Sequence, residues 1–287
     1  MANTCAIDVK FFPPPADLAP CFTIIYSLSI ECAHGQTVSD RLLPEFANLR
    51  YFCGPPATGY TDHSASGQRF QVTGPSSGPI AFEIGSTRVF GIGLRPLGWA
   101  RFVDGPASEY ANSALDGEDA DAFADLVPLC DIFCHDGLSI EAQFAAAMEA
   151  LRRVSGDPPD AQRILAIEEA LADPYLIQVE DFATRVGMSK RTLERVCNRH
   201  FGFSPRVLLR RQRVIRVLTA FMLERGNWSS VIDLHYHDHA HFVREFRAFM
   251  GVSPTEYAEM DHPILSAFMA ERRRVWGSPA KPAPRGG

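Results

Sequence analysis

No apolar run in the chain approaches the roughly 20 residues that a helix needs to cross a bilayer. The opening MANTCAIDVKFFPPP also lacks the charged-then-apolar layout of a secretory leader, so a soluble, cytoplasmic protein with no membrane partner is expected. The seven cysteines (5, 21, 32, 53, 130, 134 and 197) are odd in number and irregular in spacing, which predicts reduced thiols rather than a paired framework and resembles no zinc ribbon. Cys130 and Cys134 lie one helical turn apart, a poor geometry for bonding to each other, and read as small buried side chains. His34 and His63 stand alone. The histidines of HYHDHAH (His235, His237, His239 and His241) have no acid or thiol cluster to complete a ligand set. No metal, no cofactor and no catalytic group is expected.

What is present suits a folded protein of two domains: 287 residues, 46% apolar and 10% aromatic. The net charge of −6 hides an asymmetry. Residues 1–159 carry 9 basic and 19 acidic side chains, whereas 185–247 carry 13 and 5, and 189–216 carry 9 and 1. One basic region therefore sits in an acidic chain. Charge alone is equally compatible with a solvated face.

The amino-terminal stretch, 1–115, is rich in proline, glycine, aromatic and β-branched residues. Short runs such as Cys21–Tyr26 and Ile80–Ile84 between turn signals predict an all-β barrel or sandwich. Residues 116–155 change to helical spacing, with acids in the first turn and Arg152-Arg153 near the end; Pro128 and Asp136-Gly137 divide them into two helices. Gly156-Asp157-Pro158-Pro159 forms the linker. A helical domain follows over 161–262, and the tail 277–287 is expected to be disordered. The fold class is thus α+β multidomain, with a β-rich domain, a helical connector and an all-α domain.

The strongest signal is an internal repeat. Arg195, Gly202, Ser204 and Pro205 return as Arg244, Gly251, Ser253 and Pro254. In the first copy Val179 opens a helix, Gly187 supplies a sharp turn and Ser189 caps a second helix reaching about His200, which is helix-turn-helix spacing. Leu193 and Val196 face inward; Lys190, Arg191, Glu194, Arg195 and Arg199 face outward, where arginine forks can reach guanine edges. In the second copy Ser229–Leu234 forms the first helix, His235-Tyr236 the turn, and Asp238 caps a helix through Phe249 whose buried stripe is Phe242 and Phe246. Between the copies Ser204-Pro205 opens a helix of about 20 residues, roughly 30 Å long. That is close to the roughly 34 Å between successive major-groove faces.

These residues carry a resemblance. Phe182-Ala183, Gly187-Met188-Ser189, Thr192-Leu193, Arg195 and Gly202–Pro205 resemble the first motif of the DNA-binding domain of AraC/XylS bacterial transcription regulators. Asp238, His241-Phe242, Arg244–Arg247, Gly251–Pro254 and Tyr257 resemble its second. The resemblance covers about a third of the chain. It implies a sequence-specific regulator of transcription whose partner is double-stranded DNA, read by Lys190, Arg191, Thr192, Glu194, Arg195 and Arg199 in one helix and by His239, Ala240, Val243, Arg244 and Arg247 in the other. It also implies a small-molecule effector of unknown site, RNA polymerase as a partner in activation, and homodimerisation through the connector. Arg41–Phe46 and Gly91–Pro96 resemble segments of cupin-like effector domains.

Three positions depart from the pattern: Val231 for a small residue, His235 for the turn glycine and Cys197 for an aromatic. Histidine tolerates positive φ, so His235→Gly is expected to leave the melting temperature unchanged or raised. Two other readings remain open from sequence. One is an alkyl-transfer DNA repair protein, which the absence of a Pro-Cys-His-Arg motif disfavours. The other is an architectural protein without sequence preference. Aromatics Phe22, Tyr26, Phe52, Phe70, Phe82, Phe90, Trp99 and Phe102 are candidates for a core or for an effector pocket. Arg95 and Arg101 are expected to be paired with acids or solvated, and Arg272–Arg274 to lie beyond the folded domain.

Overall fold

The computed structural model describes residues 5–58, 68–154, 156, 158–223, 228, 236 and 238–276. The first part is an antiparallel β domain. Strands β1 (Cys5–Phe11), β2 (Phe22–Cys32), β4 (Ala47–Phe52), β5 (Phe70–Thr73), β7 (Thr87–Leu94) and β8 (Ala114–Asp116) form one sheet in the order β1-β2-β7-β4-β5-β8. Strands β3 (Val38–Leu42) and β6 (Ile80–Ile84) pair as a second.

The large sheet is covered on both faces, which is why its strands read as near-continuous apolar runs rather than alternating ones. Every residue of β4 is buried. On one face Leu49, Tyr51, Phe70, Phe90 and Ile92 pack against the helices that follow. On the other Val9, Tyr26, Leu28, Phe52 and Val89 meet Val38, Phe82 and Ile84 of the small sheet. Gly91 lies opposite Tyr26 in the register, and a Cβ there would fall 1.9 Å from the tyrosine ring. The close approach of ring to strand requires glycine.

The helices of this half are α1 (Pro96–Phe102), α2 (Leu129–Phe133) and α3 (Ile140–Arg153). Pro128 and Gly137 mark the divisions as expected, and Ser139 caps α3 by accepting from the Ala142 N–H at 3.2 Å. Pro96 stands at the first position of α1, a helix start that the surrounding strand-like and turn-like sequence obscures.

The thiol expectation is corrected. Cys5 is bonded to Cys32, its cross-strand partner in β1–β2, and Cys53 at the end of β4 is bonded to Cys134 beside α2. Cys21, Cys130 and Cys197 are free and buried. Each bridge joins residues far apart in sequence, 27 and 81 positions, so spacing could not reveal them.

The second half is helical: α4 (Ala161–Ala172), α5 (Val179–Arg185), α6 (Lys190–Phe201), α7 (Pro205–Leu223), α8 (His239–Met250), α9 (Pro254–Glu259) and α10 (Pro263–Trp276). Helices α6 and α8 both end on a left-handed glycine, Gly202 at φ 81 and Gly251 at φ 72. Both are followed by a Ser-Pro that starts the next helix, so the repeat in sequence is a repeat in structure.

Helix α10 overturns the reading of 272–274 as lying beyond the folded domain. It returns to the β domain, where Phe268 meets Tyr26 edge-on at 4.7 Å and Trp276 lies 5.2 Å from Phe11. Arg274 pairs with Glu271 at 2.6 Å, and the Arg272 guanidinium lies over Trp276. Asp40 of β3 holds the start of α10: its Oδ2 accepts from the N–H groups of Ile264 and Leu265, both at 2.8 Å. Among the described residues no helix is long and apolar enough to cross a membrane.

Candidate nucleic-acid interface

The first unit folds as its sequence dictates. Phe182 and Ala183 of α5 are buried, Gly187 turns at φ 64, and Ser189 caps α6 by accepting from Thr192 N–H at 3.2 Å. Leu193, Val196, Cys197 and Phe201 are fully buried against Ile164, Ile167 and Leu208. The unusual Cys197 therefore fills core, and burial pushes its thiol pKa far up. The opposite face is open: Lys190, Arg191, Glu194, Arg195 and Arg199 are exposed, with Thr192 half-buried at the cap.

Two of these side chains have acidic neighbours. Lys190 pairs with Glu180 of α5. Arg195 lies 3.8 Å from Asp160, which also takes Arg163 at 2.7 Å and His200 at 3.3 Å. Arg195 remains 56% exposed, free to swing to another anion.

In the second unit Asp238 accepts from His241 N–H at 2.6 Å and starts α8. His239, Ala240, Arg244 and Arg247 are exposed. Val243 is half-buried against the core, so it presents less surface than its neighbours. Arg247 lies 3.6 Å from Glu256, whose side chain completes a capping box with Ser253. Phe242 and Phe246 are buried among Val214, Leu218, Tyr257 and Trp228, whose ring stacks on Phe221. The expected helix 229–234, Val231, His235, His237 and the tail 277–287 lie outside the described residues, as does His63.

Helix α7 joins the units with 19 residues. Its arginines, which composition treats as one basic surface, divide into two sets. Arg206 is exposed and Arg210 half-exposed. Arg211 and Arg213 are buried, and Arg216 donates to the carbonyls of Leu171 and Asp173. Arg211 enters the β domain, where its Nη1 donates to the carbonyl oxygens of Glu45 and Ser76, each at 3.1 Å. Its guanidinium stacks on Phe46 at 4.7 Å. Burial lowers its pKa to about 10, against the pull of Glu45, so it stays charged at neutral pH. One signal pointed to this role: Arg211 shares a helical face with the buried Leu208 and Val214.

The chain from the end of β3 to the start of β4 reaches in several directions. Leu42 lines a cavity of about 190 Å³ between the large sheet and α10, together with Tyr26, Phe82, Phe268 and Arg50. Leu43 packs on the core of the second unit, and Phe46 meets Phe201 of the first at 6.0 Å. Glu45 accepts from Arg50 at 3.0 Å, and Arg50 also donates to Thr73 at 2.8 Å. Of the candidate pocket aromatics, Tyr26 and Phe82 line this cavity; Phe52 lines a smaller adjoining one. Phe22, Phe70, Phe90, Trp99 and Phe102 fill the other core. Arg95 pairs across the two halves with Glu168 at 3.1 Å. Among the described residues no group of three or more His, Cys, Asp and Glu converges on a metal position.

Residues 182–260 match the family model described as a helix-turn-helix domain. No curated protein matches the chain. Among solved structures, ToxT from Vibrio cholerae aligns at 10% identity over 89% of this chain and 98% of that one, with a TM-score of 0.45. ToxT bound to (E)-4-(8-methylnaphthalen-1-yl)but-3-enoic acid aligns at 11% identity over 89% and 98%, with a TM-score of 0.43. ToxT with a bound unsaturated fatty acid aligns at 10% over 89% and 95%, with a TM-score of 0.39. The carboxyl-terminal part of this chain is a helix-turn-helix domain, in which α6 and α8 are the capped helices with exposed basic faces.

Proposed function

We propose that the chain regulates transcription by laying α6 and α8 into successive major-groove segments of one duplex. The observation that carries this reading is the presentation of two capped helices, each with an exposed cationic face, both packed on one 19-residue helix that joins them. On this reading Arg191, Glu194 and Arg195 in α6, and His239, Ala240 and Arg244 in α8, all exposed, discriminate bases. Lys190, Thr192, Arg199, Val243 and Arg247 complete the two surfaces. Genome-wide mapping of bound sites, followed by footprinting, tests this: two protected major-groove segments about one helical turn apart are expected. Uniform weak protection of every fragment would sink it.

We also infer that the β domain controls these helices through 42–46. An effector in the cavity beside Arg50 would compete with the Glu45 carboxylate. The Glu45 backbone holds Arg211, and its neighbours Leu43 and Phe46 touch both units. Such a ligand alters DNA affinity only as far as it binds the two arrangements unequally. Arg50→Met, which also frees the Glu45 carboxylate, is expected to abolish any effector response and to move ligand-free DNA affinity to the effector-bound value.

A further inference from the structure

A cleft of about 540 Å³ opens between the two helix-turn-helix units, lined by Ile177–Glu180, Arg206, Arg210, Arg213, His241 and Glu245. An adjoining hollow is lined by Arg206, Arg210, His241, Arg244 and Glu245. Four arginines thus face two carboxylates, and one of those, Glu180, is already paired with Lys190. Neither Arg206 nor Arg244 has a salt bridge among the described residues, and both are exposed.

The other carboxylate, Glu245, is only 4% exposed and sits on the recognition helix itself. A buried acid is costly unless fully partnered. Here Oε1 accepts from Arg210 Nε at 2.9 Å, Oε2 accepts from the Tyr236 hydroxyl at 2.7 Å, and Arg213 lies 3.6 Å away. Glu245 therefore ties α8 to α7. It also occupies the Nε of Arg210, so the terminal nitrogens of that guanidinium are the ones left to serve the cleft. An arginine anchored in this way offers a fork already oriented for an anion.

We propose that this cleft binds the sugar-phosphate backbone of duplex DNA where it passes between the two major-groove segments. Arg206 and Arg210 are the phosphate-binding residues, His241 and Arg244 flank them, and Glu245 is the positioning residue that aims Arg210. The inference rests on the reading of α6 and α8 as groove-binding helices and adds the site that fixes the spacing between them.

The test uses the full chain and fluorescence anisotropy on a random-sequence duplex of about three helical turns, across a salt series. Arg206→Ala and Arg210→Ala are each expected to weaken binding and to flatten the slope of log K against log salt by about 0.9, one phosphate contact apiece. Glu245→Gln separates positioning from mere proximity. Loss of a bystander negative charge would tighten DNA binding, whereas loss of the group that aims Arg210 weakens it. Thermal melting checks that the variants fold, and Arg206→Ala, exposed and without a salt bridge, keeps the test decisive if Glu245→Gln does not.

Unchanged slopes in both arginine variants, or tighter binding by Glu245→Gln, would overturn the proposal. Flattened slopes in a wild type that prefers no sequence would leave the cleft standing and remove the two-segment reading. A wild type that binds no duplex would remove both.

Discussion

Arg211 reaches from the helix between the two helix-turn-helix units into the β domain and donates to the carbonyl oxygen of Glu45 at 3.1 Å, across 166 residues of sequence. Its immediate neighbour Arg210 turns the other way, toward Glu245 and the open cleft. Two consecutive arginines on α7 thus serve opposite sides, one the β domain and one the open cleft.

Arg211→Met keeps much of the stem and removes the fork, leaving the Ser76 carbonyl without its guanidinium partner. A loss of about 1–3 kcal/mol is expected from one unpaired buried polar group. Because Arg211 bridges the halves, denaturant unfolding should also separate into a β-domain step and a helical step. A single transition at the wild-type midpoint would contradict this.

The attachment of α10 should depend on pH through His262. Burial disfavours its charged form, but Asp40, 3.4 Å away, and the Tyr257 carbonyl outweigh that, so its pKa is raised above the ordinary 6.5. The resulting stability is complete below 6.5 and is lost as pH rises through the folded value. His200 has the opposite sign. Burial prevails over Asp160 and lowers its pKa, so its contribution holds above 6.5 and is lost as pH falls through the folded value. Hydrogen-exchange protection over 263–276, corrected for the intrinsic pH dependence of exchange, should therefore fall on the alkaline side in wild type, and Asp40→Ala should lower it at every pH. Protection that rises with pH would refute the assignment.

Reduction should release four thiols. Alkylation after denaturation without reductant is expected to modify three cysteines, Cys21, Cys130 and Cys197, and all seven after reduction. The bridges close loops of 27 and 81 residues, worth about 3–5 kcal/mol each on a chain-entropy account, so reductant should lower the denaturation midpoint of the β domain. Seven modified cysteines without reductant would show the pairs to be unformed.

Arg195→Ala should cost about 1–3 kcal/mol at a mapped operator if its guanidinium grips a guanine, and relax the preference at that base pair alone. Asp160 lies close enough to compete for this arginine, so Asp160→Asn should bring a smaller change of opposite sign. Equal loss on operator and random duplex would reassign Arg195 to a phosphate.

The helical half was legible because its signals are local. Ser189 and Asp238 as caps, Gly187 as the turn, Gly202 and Gly251 as stops, and Leu193, Val196, Phe242 and Phe246 as inward residues all act within a turn or two of helix. The strands around Cys21–Tyr26 and Ile80–Ile84 were legible for the same reason. The disulfides, the return of α10 to Tyr26 and Phe11, and the division of the α7 arginines were not. Each depends on partners tens to hundreds of residues away. The His235→Gly expectation concerns a position outside the described residues.

By itself, then, the order of amino acids determined two capped helices with basic outer faces and a β domain ahead of them, since turn chemistry and hydrophobic period act on neighbours along the chain. Only the tertiary structure decided which charges stay in water. Arg206 and Arg211 are five positions apart on one helix, yet one faces solvent and the other is sealed against the carbonyls of Glu45 and Ser76. A charge acquires its role from the dielectric and the partners that folding brings to it, and no local pattern encodes those.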